Sequence, residues 1–426
     1  MWLVGLVVGW FDAGVTPEQL AHIRQQLETF AAEVFTPLVR SDQRTKAVTY
    51  LRGLLLDGRR KSMQPMAERL GVDHQGLQQF VTSSTWDFTA VRQRLAMRAI
   101  DVINAAAWVI DDTGFPKDGK GSPGVARQYS GTLGKVGNCQ IGVSVHAITD
   151  TASVPLNWRL FLPTSWDQTQ AVDAQAAEQI AARRTRCAIP ATEQHRPKWQ
   201  LAVEMLDELS GWGLAAPVVV ADAGYGDNAH LRAALTERDL GYVVQVKGAV
   251  TAHPAHAEPE KLTYCGLGPR PKPRYRTKPI SLREHVLSAG RTAAVTLTWR
   301  AGSKGNLTSQ FVILAVRVAG RKPRPADNGS LPVNHLIAQW PHNESEPIKY
   351  WLSNLPADTP PAELITLAKI RWRIEHDYRE LKTALGLDHF EGRSWTGWHR
   401  HVTLVSAAHL FCTELRLSCP KAVGAA

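Results

Sequence analysis

Ala107-Trp108-Val109-Ile110 runs straight into Asp111-Asp112-Thr113-Gly114. Four apolar residues bounded by a turn signal read as a buried strand, here ending in carboxylates. The texture repeats further on, where Val218-Val219-Val220-Ala221 is another apolar strand and ends in Asp222. Between them, Gln140 to Ile148 and Leu156 to Leu162 read as two strands with short links, hence antiparallel neighbours. Trp199 to Leu209 has helical spacing, and a short helix then leads to the strand Tyr242-Val243-Val244-Gln245-Val246. Three strands, helix, strand, helix, strand is an α/β order.

The flanking regions differ. Residues 1–103 read as a helical N-terminal domain. Thr16-Pro17-Glu18 is a helix start, and Leu20, Ile23, Leu27 and Phe30 recur at helical spacing. Met66 to Asp73, followed by Leu77, Phe80 and Val81, has the helix, glycine turn, helix outline of a DNA-binding corner, with Arg59, Arg60 and Lys61 before it. The same outline occurs in ordinary helical bundles. The α/β pattern occupies 104–248. Residues 249–355 break the rhythm: basic Pro/Gly-rich stretches, Pro269 to Arg276 and Arg321 to Pro325, bracket strand-like runs at Ala293 to Trp299 and Phe311 to Val318. They read as a β-rich insertion. In the last segment, 356–426, a helix is expected from Thr359 as N-cap with Pro in its first turn, and a closing helix from about His401 to Leu415.

The helix after Thr359 carries Arg371, Glu375 and Lys382. At ~100° per residue these three fall within roughly 40° of one another, one acid flanked by two bases on a single stripe. A carboxylate that holds a metal beside cations that hold phosphates suits phosphodiester chemistry. A solvated i,i+4 ion pair is the competing reading.

The chain has 426 residues and a net charge of +10, with pI near 9.4. The length exceeds one ordinary domain, and the charge suits a polyanionic partner. Five scattered cysteines, Cys139, Cys187, Cys265, Cys412 and Cys419, form no CxxC pair. They predict a reducing compartment with neither a disulfide framework nor a zinc site. Met1 to Trp10 is apolar but too short to span a bilayer, and reads as a buried helix start or an imprecise start codon. No membrane association is expected, and the location expected is cytoplasmic. His399 and His401 lack a third ligand at metal spacing, and Trp395 and Trp398 read as packing rather than base-stacking residues.

Two strand-terminal aspartates and a helical glutamate, on a basic α/β chain, can hold two divalent ions; oxygen-only ligands favour Mg²⁺ or Mn²⁺. At this point the sequence resembles the DDE transposases of bacterial insertion sequences, in the branch marked by Tyr-x2-Arg-x3-Glu-x6-Lys. That pattern falls on Ala368, Arg371, Glu375 and Lys382, so the tyrosine is missing. The resemblance extends from about Leu51 to the C-terminal helix and includes Gly124-Val125-Ala126-Arg127-Gln128-Tyr129-Ser130-Gly131 and Gly386-Leu387-Asp388-His389-Phe390.

The resemblance implies an RNase H-like catalytic core with a β-rich insertion between the second and third acids. It implies metal-dependent cleavage at transposon ends and strand transfer into target DNA. Its first acid falls on Asp112 or its neighbour Asp111, with Asp112, directly before Thr113, chosen. The second is Asp222 in Ala-Asp-Ala-Gly-Tyr-Gly, and the third Glu375. Glu380, in Tyr378-Arg379-Glu380-Leu381, lies roughly 140° away around the helix. Arg371 and Lys382 would grip phosphates, with Arg127, Lys117, Lys120 and Lys135 as further backbone contacts and Tyr378 a partial substitute for the missing tyrosine. The partners implied are double-stranded DNA, as element ends and target, and a second copy of the chain once assembled on DNA. Two rivals remain: a transposase-derived DNA-binding protein that no longer cuts, suggested by Ala368 and the short tail after Leu417, and a structure-specific nuclease of the same fold.

Overall fold

A computed structural model describes residues 16–131, 134–261, 263–264, 272–302, 305–320 and 322–418. The expectations for Met1 to Trp10, Cys265 and Cys419 fall outside these. The chain folds as two units. One takes in the residues up to Ala105, Asp111–Ala215 and the chain from Arg373 on; the other comprises Ala106–Ile110 and Ala216–Trp372. The helices expected as an N-terminal domain thus belong to the same unit as Asp111–Ala215 and the last helix.

Among the described residues the first unit opens with five helices: α1 (Pro17–Val34), α2 (Ser41–Leu55), α3 (Met63–Leu70), α4 (His74–Thr82) and α5 (Phe88–Val102). Thr16 and Gln19 close a capping box at the start of α1. Between α3 and α4, Gly71 takes the left-handed conformation (φ 66°) and Asp73 caps α4 through the backbone N–H groups of Gln75 and Gly76. The strand β1 (Ala107–Pro116) passes from the second unit into the first. There it neighbours β3 (Lys135–Ile148), which pairs antiparallel with β2 (Ala126–Ser130) and β4 (Ser153–Leu160). The helices α6 (Ala174–Arg186) and α7 (Lys198–Gly211) follow.

The unit is built around a long C-terminal helix, numbered last below as α13 (Trp395–Ser418). It packs against α1, α2, α4, α5 and β4, and nearly every residue from Trp395 to Thr413 is buried. Its polar groups are mostly paired. Arg400 donates to the carbonyls of Val81 and Trp86, and His401 meets the Tyr50 hydroxyl at 2.9 Å. Burial holds His401 neutral, its pKa pushed down to about 4.

In the second unit, β1 pairs in parallel with β5 (Val219–Ala221), Ile110 opposite Ala221, and β5 in parallel with β6 (Tyr242–Val246). The short helices α8 (Ala223–Gly226) and α9 (Ala229–Thr236) lie between β5 and β6. The sheet then continues antiparallel through β12 (Lys349–Ser353), β11 (Val333–Gln339), β10 (Gly305–Val318) and β7 (Thr251–Pro254) to β8 (Ile280–Ser281). The strand β9 (Ala294–Gly302) pairs with β10, and α10 (Leu282–Ala289) follows β8. Residues 249–355 are therefore β-rich, and their strands extend the sheet that β5 and β6 begin. The helices α11 (Pro361–Lys369) and α12 (Trp372–Thr383) precede α13.

Several local expectations change. β1 does not end at its carboxylates. Thr113, Gly114 and Phe115 are buried, so the ladder continues and Asp111 and Asp112 sit in mid-strand. The helix expected to carry Arg371, Glu375 and Lys382 is two helices. Ile370 bonds back only three residues, to Leu367, and Arg371 lies in the turn before α12. Pro360, not Thr359, occupies the N-cap of α11. The closing helix starts at Trp395, and β2 and α6 had no sequence counterpart. Among the described residues no helix is long and apolar enough to cross a membrane.

Candidate active site

Strand alternation turns Asp111 and Asp112 to opposite faces of β1. Asp111 is buried, and its carboxylate accepts the Asp112 backbone N–H at 2.8 Å. Asp112 is partly exposed, and its Oδ2 accepts from Lys198 Nζ at 3.0 Å. Lys198 is the first residue of α7, directly after Pro197, and no acid stands in the first turn of that helix. A cation there faces the positive end of the helix dipole. Its counter-charge comes instead from Asp112.

Asp222 is anchored differently. It caps α8: Oδ1 accepts the backbone N–H of Gly224 at 2.9 Å and of Tyr225 at 3.3 Å. The other oxygen, Oδ2, lies 3.7 Å from Arg371 Nη2. Capping and cation pairing are divided between the two oxygens, so the ordinary role of an aspartate after a strand does not exclude a second one. Gly226 in the same motif approaches β6 so closely that a Cβ would collide with the Gln245 carbonyl oxygen.

Glu375 lies in the first turn of α12 and is exposed. Glu380 is mostly buried and accepts two hydrogen bonds from Arg416, at 2.6 and 2.9 Å, with His409 3.9 Å away. It joins α12 to α13. The helical angle that separated Glu375 from Glu380 thus corresponds to a solvent face and a core face.

Three expected DNA contacts prove to be committed inside the fold. Tyr378 is buried, its hydroxyl 2.6 Å from Ser144 Oγ and its ring against His146 and Trp158. This corrects its expected role as a DNA-facing stand-in for the missing tyrosine: the face of α12 that carries it packs on the sheet. Lys382 is buried and donates to the Gly114 carbonyl at 2.6 Å; burial lowers its pKa to about 8, against the pull of Asp388. Lys117 donates to the Phe390 carbonyl at 2.5 Å, and burial lowers its pKa too. Arg127, Lys120 and Lys135 are exposed, Arg127 on the same face of β2 as Tyr129, which is 64% exposed. Ala368 is buried in α11.

Trp395 and Trp398 pack inside, Trp398 edge-on to Phe115 and Trp158. His399 stacks on Phe88. Another grouping has ligand-like spacing: His376, Asp377 and Glu380 bring donor atoms within 4.8 Å of one another. Arg373 lies 3.3 Å from Asp377, and Arg416 grips Glu380. Two guanidinium groups thus already face this grouping. Burial pushes the pKa of Asp377 up to about 8, against the opposing pull of Arg373.

Lys198 is the residue that sequence reasoning missed. Its one signal was a lysine directly after a proline at a helix start, where an acid is favoured.

A family model described as DDE superfamily endonuclease matches residues 33–306. That stretch holds Asp112, Lys198 and Asp222 and ends before Glu375. Among curated proteins, a probable transposase for insertion sequence element IS701 from Microchaete diplosiphon is 28% identical over 216 residues. The alignment covers 50% of this chain and 50% of that protein, so the chain spans about half the length of the relative it matches.

Proposed function

The chain belongs to the DDE superfamily endonucleases, and from that premise we propose that it is a transposase that cuts and joins DNA at the ends of an insertion sequence. The observation that carries this reading is the register of β1 and β5. They are parallel neighbours with Ile110 opposite Ala221, so acids follow on both: Asp111, level with Asp222, and Asp112 one residue further, which we take as the ligand because it is the more exposed of the two and stands directly before Thr113. We assign Asp112, Asp222 and Glu375 as the acids that hold two Mg²⁺ or Mn²⁺ ions. The donors fit: all are carboxylate oxygens and none is sealed in the core. When bound, such ions activate a water or 3′-hydroxyl and stabilise the leaving oxygen of an in-line displacement.

In the first step water attacks phosphorus and the 3′-oxygen leaves, giving a free 3′-hydroxyl and a 5′-phosphate. In the second that 3′-hydroxyl attacks a phosphodiester of the target strand and displaces its 3′-oxygen. No enzyme-bound intermediate forms. Arg371, at the turn before α12, and exposed Arg127 bind backbone phosphates. Lys382 holds β1 through Gly114, two residues beyond Asp112, and so positions that acid. The core is RNase H-like, with 249–355 as its insertion and the N-terminal helices as a DNA-binding domain. Cutting two ends calls for two copies of the chain on DNA, and the place of action is the cytoplasmic nucleoid.

The test is incubation with duplex DNA carrying the inverted repeats that flank the coding region, in Mn²⁺, scored for nicked and joined products. Both are expected. Binding without cutting would make the chain an inactive DNA-binding derivative. Cutting without joining, and without need of paired ends, would make it a structure-specific nuclease.

A further inference from the structure

We infer that Lys198 is a built-in counter-ion of Asp112 that competes with the divalent metal for this carboxylate and holds the acid in place until the metal arrives. The inference rests on the assignment of Asp112 as a metal ligand. It stands on three observations. The Lys198 ammonium lies 3.0 Å from Asp112 Oδ2, within charge-assisted hydrogen-bond distance. Both side chains are partly shielded, Lys198 32% and Asp112 22% exposed, so water screens the pair less than at an open surface. The third is the placement of the lysine. It opens α7 where the helix dipole disfavours a cation, and the locked φ of Pro197, −59°, fixes the turn from which it departs. A Phe161 ring lies 5.8 Å from the same ammonium and limits where it can swing.

A divalent ion and an ammonium cannot both sit at 2–3 Å from one carboxylate oxygen without strong repulsion. Metal entry therefore requires Lys198 to withdraw from Oδ2 or to shift to a less direct contact. The lysine weakens metal binding and keeps Asp112 ordered in the metal-free chain. The withdrawn ammonium is then free to meet a DNA phosphate, so DNA favours the metal-loaded arrangement.

The experiment is calorimetric titration of MnCl₂ into the full-length protein, for the wild type, Lys198→Gln, Lys198→Arg and Asp112→Asn. Circular dichroism and melting curves confirm folding of each variant. Lys198→Gln should bind Mn²⁺ about tenfold more tightly than wild type, the order expected for removing one like charge at this distance. Lys198→Arg should stay near the wild-type value, because it keeps the charge. Asp112→Asn should lose one site. If Asp112→Asn weakens binding while Lys198→Gln leaves it unchanged or weaker, the counter-ion role is overturned and the metal assignment stands. If Asp112→Asn leaves binding unchanged, the metal assignment itself has failed. Should Lys198→Gln not fold, Lys198→Met serves in the same titration, with the same two outcomes.

Discussion

Asp112 and Asp222 carry the same functional group, yet the fold holds them by different means. Asp112 sits in the middle of a strand and is paired with the Lys198 ammonium. Asp222 sits just past a strand and is gripped by two backbone N–H groups of α8, leaving one oxygen for Arg371. The first is fixed by a side chain that can leave; the second is fixed by backbone that cannot. The tunable acid and the rigid acid therefore respond differently to substitution.

The largest expected effect is one they share. Asp112→Asn and Asp222→Asn should each lower the cleavage rate by about 10³-fold or more. Metal stabilisation of the transition state is worth several kcal/mol, and each 1.36 kcal/mol is a factor of ten. Binding to end DNA should persist in both. Retention of cutting in either variant would remove that residue from the site.

A second pair sharpens the reading of α12. Glu380→Ala breaks a mostly buried double hydrogen bond to Arg416 and should cost about 3 kcal/mol, measured by denaturant unfolding. Glu375→Ala, on the exposed face, should change stability by less than about 0.5 kcal/mol while abolishing cleavage. Reversed outcomes would mean that Glu380 is the third acid.

A smaller difference separates the two aspartates in stability. Asparagine caps helices as well as aspartate does, whereas alanine does not. Asp222→Ala should therefore be less stable than Asp222→Asn by about 1 kcal/mol. Asp112 caps nothing, so Asp112→Ala and Asp112→Asn should differ less in unfolding experiments.

A further effect, dependent on pH, concerns Asp377. Its folded-state pKa, about 8, lies above the ordinary carboxylate value of 3.8. The folded state therefore keeps the proton more tightly than the unfolded chain does. This contribution to stability is full below about pH 4 and is lost as pH rises through about 8. Asp377→Asn cannot lose a proton. Its melting temperature should gain about 4 °C over wild type between pH 5 and pH 9. A constant difference across that range would place the pH response elsewhere.

The strands were legible because burial leaves a compositional trace. Tyr242 to Val246 matches β6 residue for residue, and the apolar run before Asp222 becomes β5. β2 escaped notice because its residues, Ala-Arg-Gln-Tyr-Ser, contain no aliphatic run, and Arg127 and Tyr129 face solvent. The true end of β1 was hidden because Thr113 and Gly114 look like a turn, whereas pairing with β3 carries the strand on. On α12 the angular argument separated Glu375 from Glu380 because a helical period survives any tertiary context. It could not show that Tyr378 and Lys382 point inward, since a tyrosine hydroxyl and a lysine ammonium can be satisfied by single partners such as Ser144 and the Gly114 carbonyl. Lys198 escaped because a charge pair 86 residues apart leaves no pattern along the chain.

The most direct test is single-turnover cleavage of end DNA in Mn²⁺ by Asp112→Asn, Asp222→Asn and Glu375→Gln, with end binding measured on the same samples. All three should bind DNA like wild type and fail to cut it. Wild-type cleavage by any one of them, at equal metal concentration, would contradict a three-carboxylate metal site.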